Sequence, residues 1–204
     1  MTDLKMLDCF CGLGGASSGF AKEGFDCTGI DIINVGYPYR FILADMLTLK
    51  GEDFRGYDVI WGSPPCRDFS IFAKRFGTTW KKNPPNPTKG LELIHCYLKF
   101  KDEAKPTIWI MENSPYLAEH LGIKPRFISC LGPPEKQQMR RAFWGNFPNF
   151  LMQIQHNLQV KRFRPEVGRK AQSSPAERAK IPLACSQAFA RACKDVLLEK
   201  ELTV

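Results

Sequence analysis

Short continuous apolar runs alternate with stretches whose apolar positions recur at helical spacing through the first half of the chain. Runs of this kind fit strands buried on both faces, and the alternation points to βαβ units around a largely parallel sheet. The predicted strands are residues 5–10, 27–31, 41–44, 57–62 and 107–111. Between them, residues 14–23 and 89–103 read as helices, the second with Leu91, Ile94, Leu98 and Lys99 at helical spacing. Residues 127–131 and 142–144 supply a closing pair of strands. Residues 183–198 read as a final amphipathic helix with Ala188, Ala192 and Val196 on one side. The fold class expected is α/β, a doubly wound, mostly parallel sheet. Two stretches lack periodicity: residues 70–88, which hold Pro84, Pro85 and Pro87, and residues 146–174. Irregular segments of that length in a compact domain are usually functional or mobile.

A chain of 204 residues fits one domain, expected here to span residues 1–204. No apolar run approaches the ~20 residues of a membrane span, and the N-terminal residues lack the basic, apolar and cleavage regions of a secretion signal. A cytoplasmic protein is expected. The eight cysteines (9, 11, 27, 66, 96, 130, 185 and 193) are irregularly spaced, and several fall inside apolar patterns. They read as free thiols in a reducing compartment, with no zinc-ligand spacing and no metal expected. The net charge of +8 suits a polyanionic partner, although solvated surfaces are often basic. Its distribution says more, because basic residues gather in two loop-like segments, 67–89 and 161–180.

Four segments carry candidate chemistry. In the first, Asp8 to Gly15, a strand runs into a glycine-rich turn and then a helix; Phe10, Gly12, Gly14 and Gly15 would let backbone approach a nucleotide. Ser17 stands where the dinucleotide fingerprint needs its third glycine, which disfavours a nicotinamide or flavin enzyme. Asp31 ends the second strand, placed to accept from ribose hydroxyls, and Asp45 follows the third, placed to take an adenine amino group. Each alone is also an ordinary loop acid. The second segment, Gly62 to Ser70, sets Pro65 and Cys66 on a rigid turn at the same sheet edge, where a thiol becomes a nucleophile if its surroundings favour thiolate. In the third, Glu112 ends another buried strand and can serve as an acid toward a ring nitrogen, or as a helix cap. In the fourth, Gln137 to Gly145, Arg141 enters a strand and can hold the base oxygen or that acid, or belong with Arg140 to a solvated face.

Taken together, these segments resemble the DNA (cytosine-5) methyltransferase family in order and spacing. The glycine turn is similar to its cofactor motif, Pro65-Cys66 to its Pro-Cys motif, and Glu112-Asn113 to its Glu-Asn-Val motif, with Ser114 in place of valine. Arg141 to Asn146 is similar to its arginine motif, and Glu177 to Pro182, followed by a helix, to its last motif, which packs by the cofactor turn. The resemblance implies a Rossmann-like, S-adenosylmethionine-dependent fold. It also implies that Cys66 adds to C6 of an extruded cytosine, Glu112 engages N3 and C5 takes the methyl group, with Arg141 as the catalytic arginine. By the same resemblance Asp31, Asp45 and Pro65 line the cofactor with the glycine turn. DNA is the implied partner, with Arg67, Ser70, Lys74, Arg75, Lys81 and Lys82 as candidate contacts closing over the flipped base.

Two departures qualify the match. Met139 stands where the family's first arginine of Gln-x-Arg-x-Arg falls. Residues 146–174 occupy the place of a large target-recognition region, so specificity is expected to be short, or supplied by a partner or a second copy. Such compactness is similar to forms found in bacteriophages and mobile elements, implying a prokaryotic or phage-infected host cell. Transfer RNA on the same scaffold, or a silent nucleic-acid-binding homologue, are the alternative readings.

Overall fold

A computed structural model describes residues 3–69, 84–131, 139–149, 177 and 179–201. Among them the chain forms strands β1 (Lys5–Cys9), β2 (Asp26–Asp31), β3 (Arg40–Leu43), β4 (Val59–Gly62), β5 (Ile108–Asn113), β6 (Phe127–Leu131) and β7 (Met139–Gly145). The helices are α1 (Gly15–Lys22), α2 (Pro87–Ala104), α3 (Leu117–Leu121) and α4 (Leu183–Glu201), with 3-10 turns at Met46–Thr48, Gly51–Phe54 and Arg67–Phe69. No helix of the described residues is long and apolar enough to cross a membrane.

One seven-stranded sheet has the order β3-β2-β1-β4-β5-β7-β6. β1 to β5 pair in parallel, whereas β7 runs antiparallel to both β5 and β6. The doubly wound expectation holds, and the expected closing pair is present, with β7 inserted between β5 and β6. Continuous apolar runs became central strands because both faces are covered: all of β4 is buried, and β1 exposes only Lys5.

α1 and α4 cover one face. There Phe189 of α4 meets Trp61 edge-on at 5.1 Å and Phe143 at 5.0 Å, with Phe20 and Phe147 completing a ring cluster. α2 covers the other face with Ile94, Tyr97 and Phe100 against Leu7, Ile60 and Met111. The Tyr97 hydroxyl is buried, and it lies 2.7 Å from the carbonyl of Ile110, to which it donates.

Two helix faces differ from expectation. The buried stripe of α4 is Cys185, Phe189, Cys193 and Leu197, while Ala188, Ala192 and Val196 are only half-buried. Both stripes repeat every four residues; the larger apolar side chains took the core. On α2 the buried residues include Ile94, Tyr97 and Phe100, whereas Lys99 points to solvent and pairs with Glu103 at 3.6 Å. This helix also starts at Pro87, not Lys89. Pro87 lies in the first turn, where a missing N–H costs nothing, and Asn86 Oδ1 accepts from the Lys89 N–H at 3.1 Å. Of the second irregular stretch, Asn146 accepts from the Trp109 N–H at 2.7 Å and Phe147 is in the core.

Candidate active site

β1 and β4 are neighbours, so strand order reverses between them, and the turns that leave their carboxyl ends flank the crevice where open α/β sheets bind ligands. The glycine turn leaves β1 through left-handed backbone at Phe10 (φ 59°), Gly12 (φ 49°) and Gly14 (φ 71°). Gly14 N–H closes the turn on the Cys11 carbonyl at 2.8 Å. Gly12 N–H donates to Asp31 Oδ2 at 3.0 Å, tying the turn to the end of β2. A side chain at Gly12 would meet nothing within 4 Å, so backbone there borders open space. Gly15 differs: it starts α1, and an added Cβ would overlap the backbone of Ile181. Close approach of the C-terminal segment explains this glycine. Asp45 is exposed, and its Oδ1 accepts from the Leu47 N–H at 3.0 Å, capping the turn after β3.

Beneath the glycine turn lies a buried polar chain absent from the sequence reading. Ser17 Oγ is 2.6 Å from Asp8 Oδ2 and 2.7 Å from the Tyr37 hydroxyl. Burial pushes the Asp8 carboxyl up to about 7, against the hydrogen bonds from Ser17. A charged residue inside an otherwise buried strand was the available signal.

Cys66 follows β4 on a turn whose Pro64 is buried and whose Pro65 is exposed. Glu112 is the fifth residue of β5. Arg141 arrives from β7, whose antiparallel direction sets its beginning at the carboxyl edge of β5. Glu112 pairs with Phe143, so Arg141, two residues earlier on the same face, is its diagonal neighbour. Arg141 Nη1 reaches Glu112 Oε1 at 3.0 Å with both side chains nearly buried. Arg141 Nη2 donates to the Lys180 carbonyl at 3.2 Å, joining the site to the segment before α4. Ser63 also hydrogen-bonds Glu112 and accepts from the Trp61 indole N–H at 2.9 Å.

The electrostatics follow from this packing. Burial pushes the Cys66 thiol up to about 11; the nearby Glu112 carboxylate adds to the rise and Arg141 opposes it. The Glu112 carboxyl is itself raised by burial, with Arg141 and Ser63 pulling it back. Cys66 as a residue nevertheless keeps partial exposure. The site holds a half-exposed cysteine beside a buried carboxyl that is paired with Arg141.

Residues 4–124 match the model of the C-5 cytosine-specific DNA methylase family. The chain belongs to this family. One relative, a protein of Frog virus 3 (isolate Goorha) described as a DNA (cytosine-5)-methyltransferase, is 31% identical over 158 residues, covering 72% of this chain and 73% of its own. The type II methyltransferase M1.HphI of Haemophilus parahaemolyticus is 29% identical over 60% of this chain, but the match spans only 36% of that enzyme. Among solved structures, a protein described as a DNA modification methyltransferase encoded within an E. coli prophage aligns at a TM-score of 0.51 and 21% identity. That alignment covers 70% of this chain and 46% of the other, and it supports the methylase fold. Against several relatives, therefore, this methylase chain spans a third to a half of their length.

The structure gathers Cys66, Glu112 and Arg141 into one cluster, and it brings Phe10, Gly12, Gly14 and Asp31 together at the crevice. Arg67 is exposed in the 3-10 turn after Cys66. Ser70, Lys74, Arg75, Lys81 and Lys82 lie outside the described residues, as does most of 146–174. Ser63, Ser114 and Lys180 lie inside the segments singled out above, but their contacts with Glu112, Phe69 and Arg141 were missed because packing alone sets them.

Proposed function

We propose that this chain is a DNA cytosine C5 methyltransferase that takes its methyl group from S-adenosylmethionine. The observation that carries this reading is the meeting of Cys66, Glu112 and Arg141 at one sheet edge, beside a glycine turn that borders open space. The crevice fits such a donor. Gly12 leaves room for close backbone approach, Asp31 presents a half-buried carboxylate to a ribose diol, and exposed Ile32 beside it offers an apolar surface to a base. Phe10, Gly14, Asp45 and Pro65 complete the proposed lining. When bound, S-adenosylmethionine supplies an electrophilic methyl group.

The chain's own residues act on the cytosine. Glu112, whose proton affinity is raised by burial, gives a proton or hydrogen bond to N3 and draws electrons from C6. Cys66 loses its thiol proton to solvent, and the thiolate Sγ then forms a bond to C6, its electron pair displacing the C5–C6 π electrons so that C5 becomes nucleophilic. After C5 is methylated, loss of its proton expels the thiolate and restores the ring. Arg141 holds Glu112 in place and stabilises charge during these steps. Because C5 and C6 are stacked inside a duplex, the base must be extruded, at a cost of a few kcal/mol. Arg67 and the basic residues after it offset that cost through phosphate contacts.

The test is label transfer from radioactive S-adenosylmethionine to DNA and, separately, to transfer RNA, with the native chain and Cys66→Ser. Label at C5 of DNA cytosine that vanishes in Cys66→Ser is the expected result. Label confined to RNA reassigns the substrate, and no label in either overturns the reading.

A further inference from the structure

The residues that follow Glu112 hold the nucleophile turn at both ends. Asn113 Nδ2 donates to the Pro64 carbonyl at 2.9 Å, and Ser114 Oγ donates to the Phe69 carbonyl at 3.2 Å. Cys66 lies between these anchors, and its own carbonyl accepts from the Phe69 N–H at 3.1 Å. The two donors are also bound to each other, since the Ser114 N–H donates to Asn113 Oδ1 at 2.8 Å. Phe69 is a firm anchor. It is buried, its ring lies 5.6 Å from that of His120, and it packs on Gly90 in the first turns of α2.

Ser114 is the position at which the chain departs from the Glu-Asn-Val pattern. Valine has no hydroxyl and would leave the Phe69 carbonyl without this donor. We propose that Ser114 is a positioning residue for Cys66: its hydroxyl straps the far end of the nucleophile turn to the acid strand. The thiol is thereby fixed relative to Glu112, two residues before Ser114 near the end of β5. Without that hydroxyl the far end keeps the buried Phe69 ring and the bond from Asn86 N–H to Asp68 Oδ1 at 3.0 Å, but loses its direct tie to the segment that carries Glu112.

The role in turnover rests on the proposed reaction, but the test of the strap does not. Threonine and valine have nearly the same shape and differ by the hydroxyl, so Ser114→Thr and Ser114→Val separate the hydrogen bond from bulk. The rate of Cys66 alkylation by iodoacetamide is followed on the full chain by peptide mass mapping, which resolves Cys66 from the other thiols. A net hydrogen bond of this kind corresponds to a factor of about 3 to 10. Cys66 in Ser114→Val is expected to react about 3- to 10-fold faster than in the native chain, with Ser114→Thr near the native rate. Single-turnover methyl transfer is expected to fall by a similar factor in the valine variant alone. Equal alkylation rates in the two variants, whether native or altered, overturn the proposal. Ser114→Ala gives the same comparison should valine prevent folding. A native chain that transfers no methyl group sinks the proposed reaction, and the alkylation rates still decide the role of Ser114.

Discussion

Cys66 is held as a thiol, in surroundings that favour the neutral form. With its pKa up to about 11, the thiolate is a minor species at neutral pH, and the Glu112 carboxylate is one named cause. Removing that charge must lower the Cys66 pKa, and leaving Arg141 without its acid acts in the same direction. Glu112→Gln is therefore expected to shift the pH profile of Cys66 alkylation downward from about 11 and to speed alkylation near neutrality. Methyl transfer by the same variant is expected to fall by roughly 10²- to 10⁴-fold, because glutamine cannot protonate N3. An unchanged alkylation profile would mean that Cys66 does not sense Glu112. The motifs made Cys66, Glu112 and Arg141 legible as residues. Their mutual effect was not, since a pKa depends on neighbours and burial that spacing does not record.

α1 and α4 meet at a surface of small residues. A Cβ at Gly19 would overlap the backbone of Ser186 and Gln187, which no rotamer change relieves. Gly19→Ala is expected to destabilise the chain by about 1–3 kcal/mol, the range for overpacking. At 2–4 °C per kcal/mol the melting temperature falls by roughly 2–12 °C, readable in a thermal melt. Because Arg141 donates to the Lys180 carbonyl just before α4, methyl transfer should decline as well. A variant that melts with the native chain would show that the helices separate at no cost. Periodicity and caps revealed that these helices exist, and Pro87 and Asn86 mark the start of α2 in hindsight. The buried face of α4 was not legible, because its alanine stripe and its Cys185, Phe189, Cys193, Leu197 stripe share one period. The choice belongs to the sheet face that receives Phe189.

Across the whole molecule, burial leaves its clearest mark on the thiols. Cys9, Cys11, Cys27, Cys66, Cys96, Cys185 and Cys193 are free, and each of these is shifted upward. A raised thiol is protonated in the folded chain while the unfolded one ionises. Its stabilising contribution is thus intact below the ordinary value of 9.0 and is lost as pH rises toward about 12, the value for Cys27, Cys185 and Cys193. Each such thiol removes about 1.4 kcal/mol per pH unit within that window. The melting temperature is expected to fall steeply above about pH 9, and Cys193→Ala, which deletes a thiol shifted by burial alone, should fall less steeply. Equal slopes would show that Cys193 ionises in the folded state. Asp8, raised to about 7, acts in the same sense between its ordinary value of 3.8 and neutrality.

By itself the sequence determined the alternation of strands and helices, the α/β class, and the chemical identity of the residues at the carboxyl edge. Those features are local: side-chain period, glycine and proline at turns, and residue type are written in consecutive positions. Tertiary structure decided which strands became neighbours, and so that β7 enters between β5 and β6 with Arg141 diagonal to Glu112. It also decided which face of α4 is buried, how the Asp8, Ser17 and Tyr37 chain supports the glycine turn, and how Ser114 reaches the Phe69 carbonyl. These are contacts between segments far apart along the chain, fixed by packing both faces of one sheet, and no local pattern encodes them.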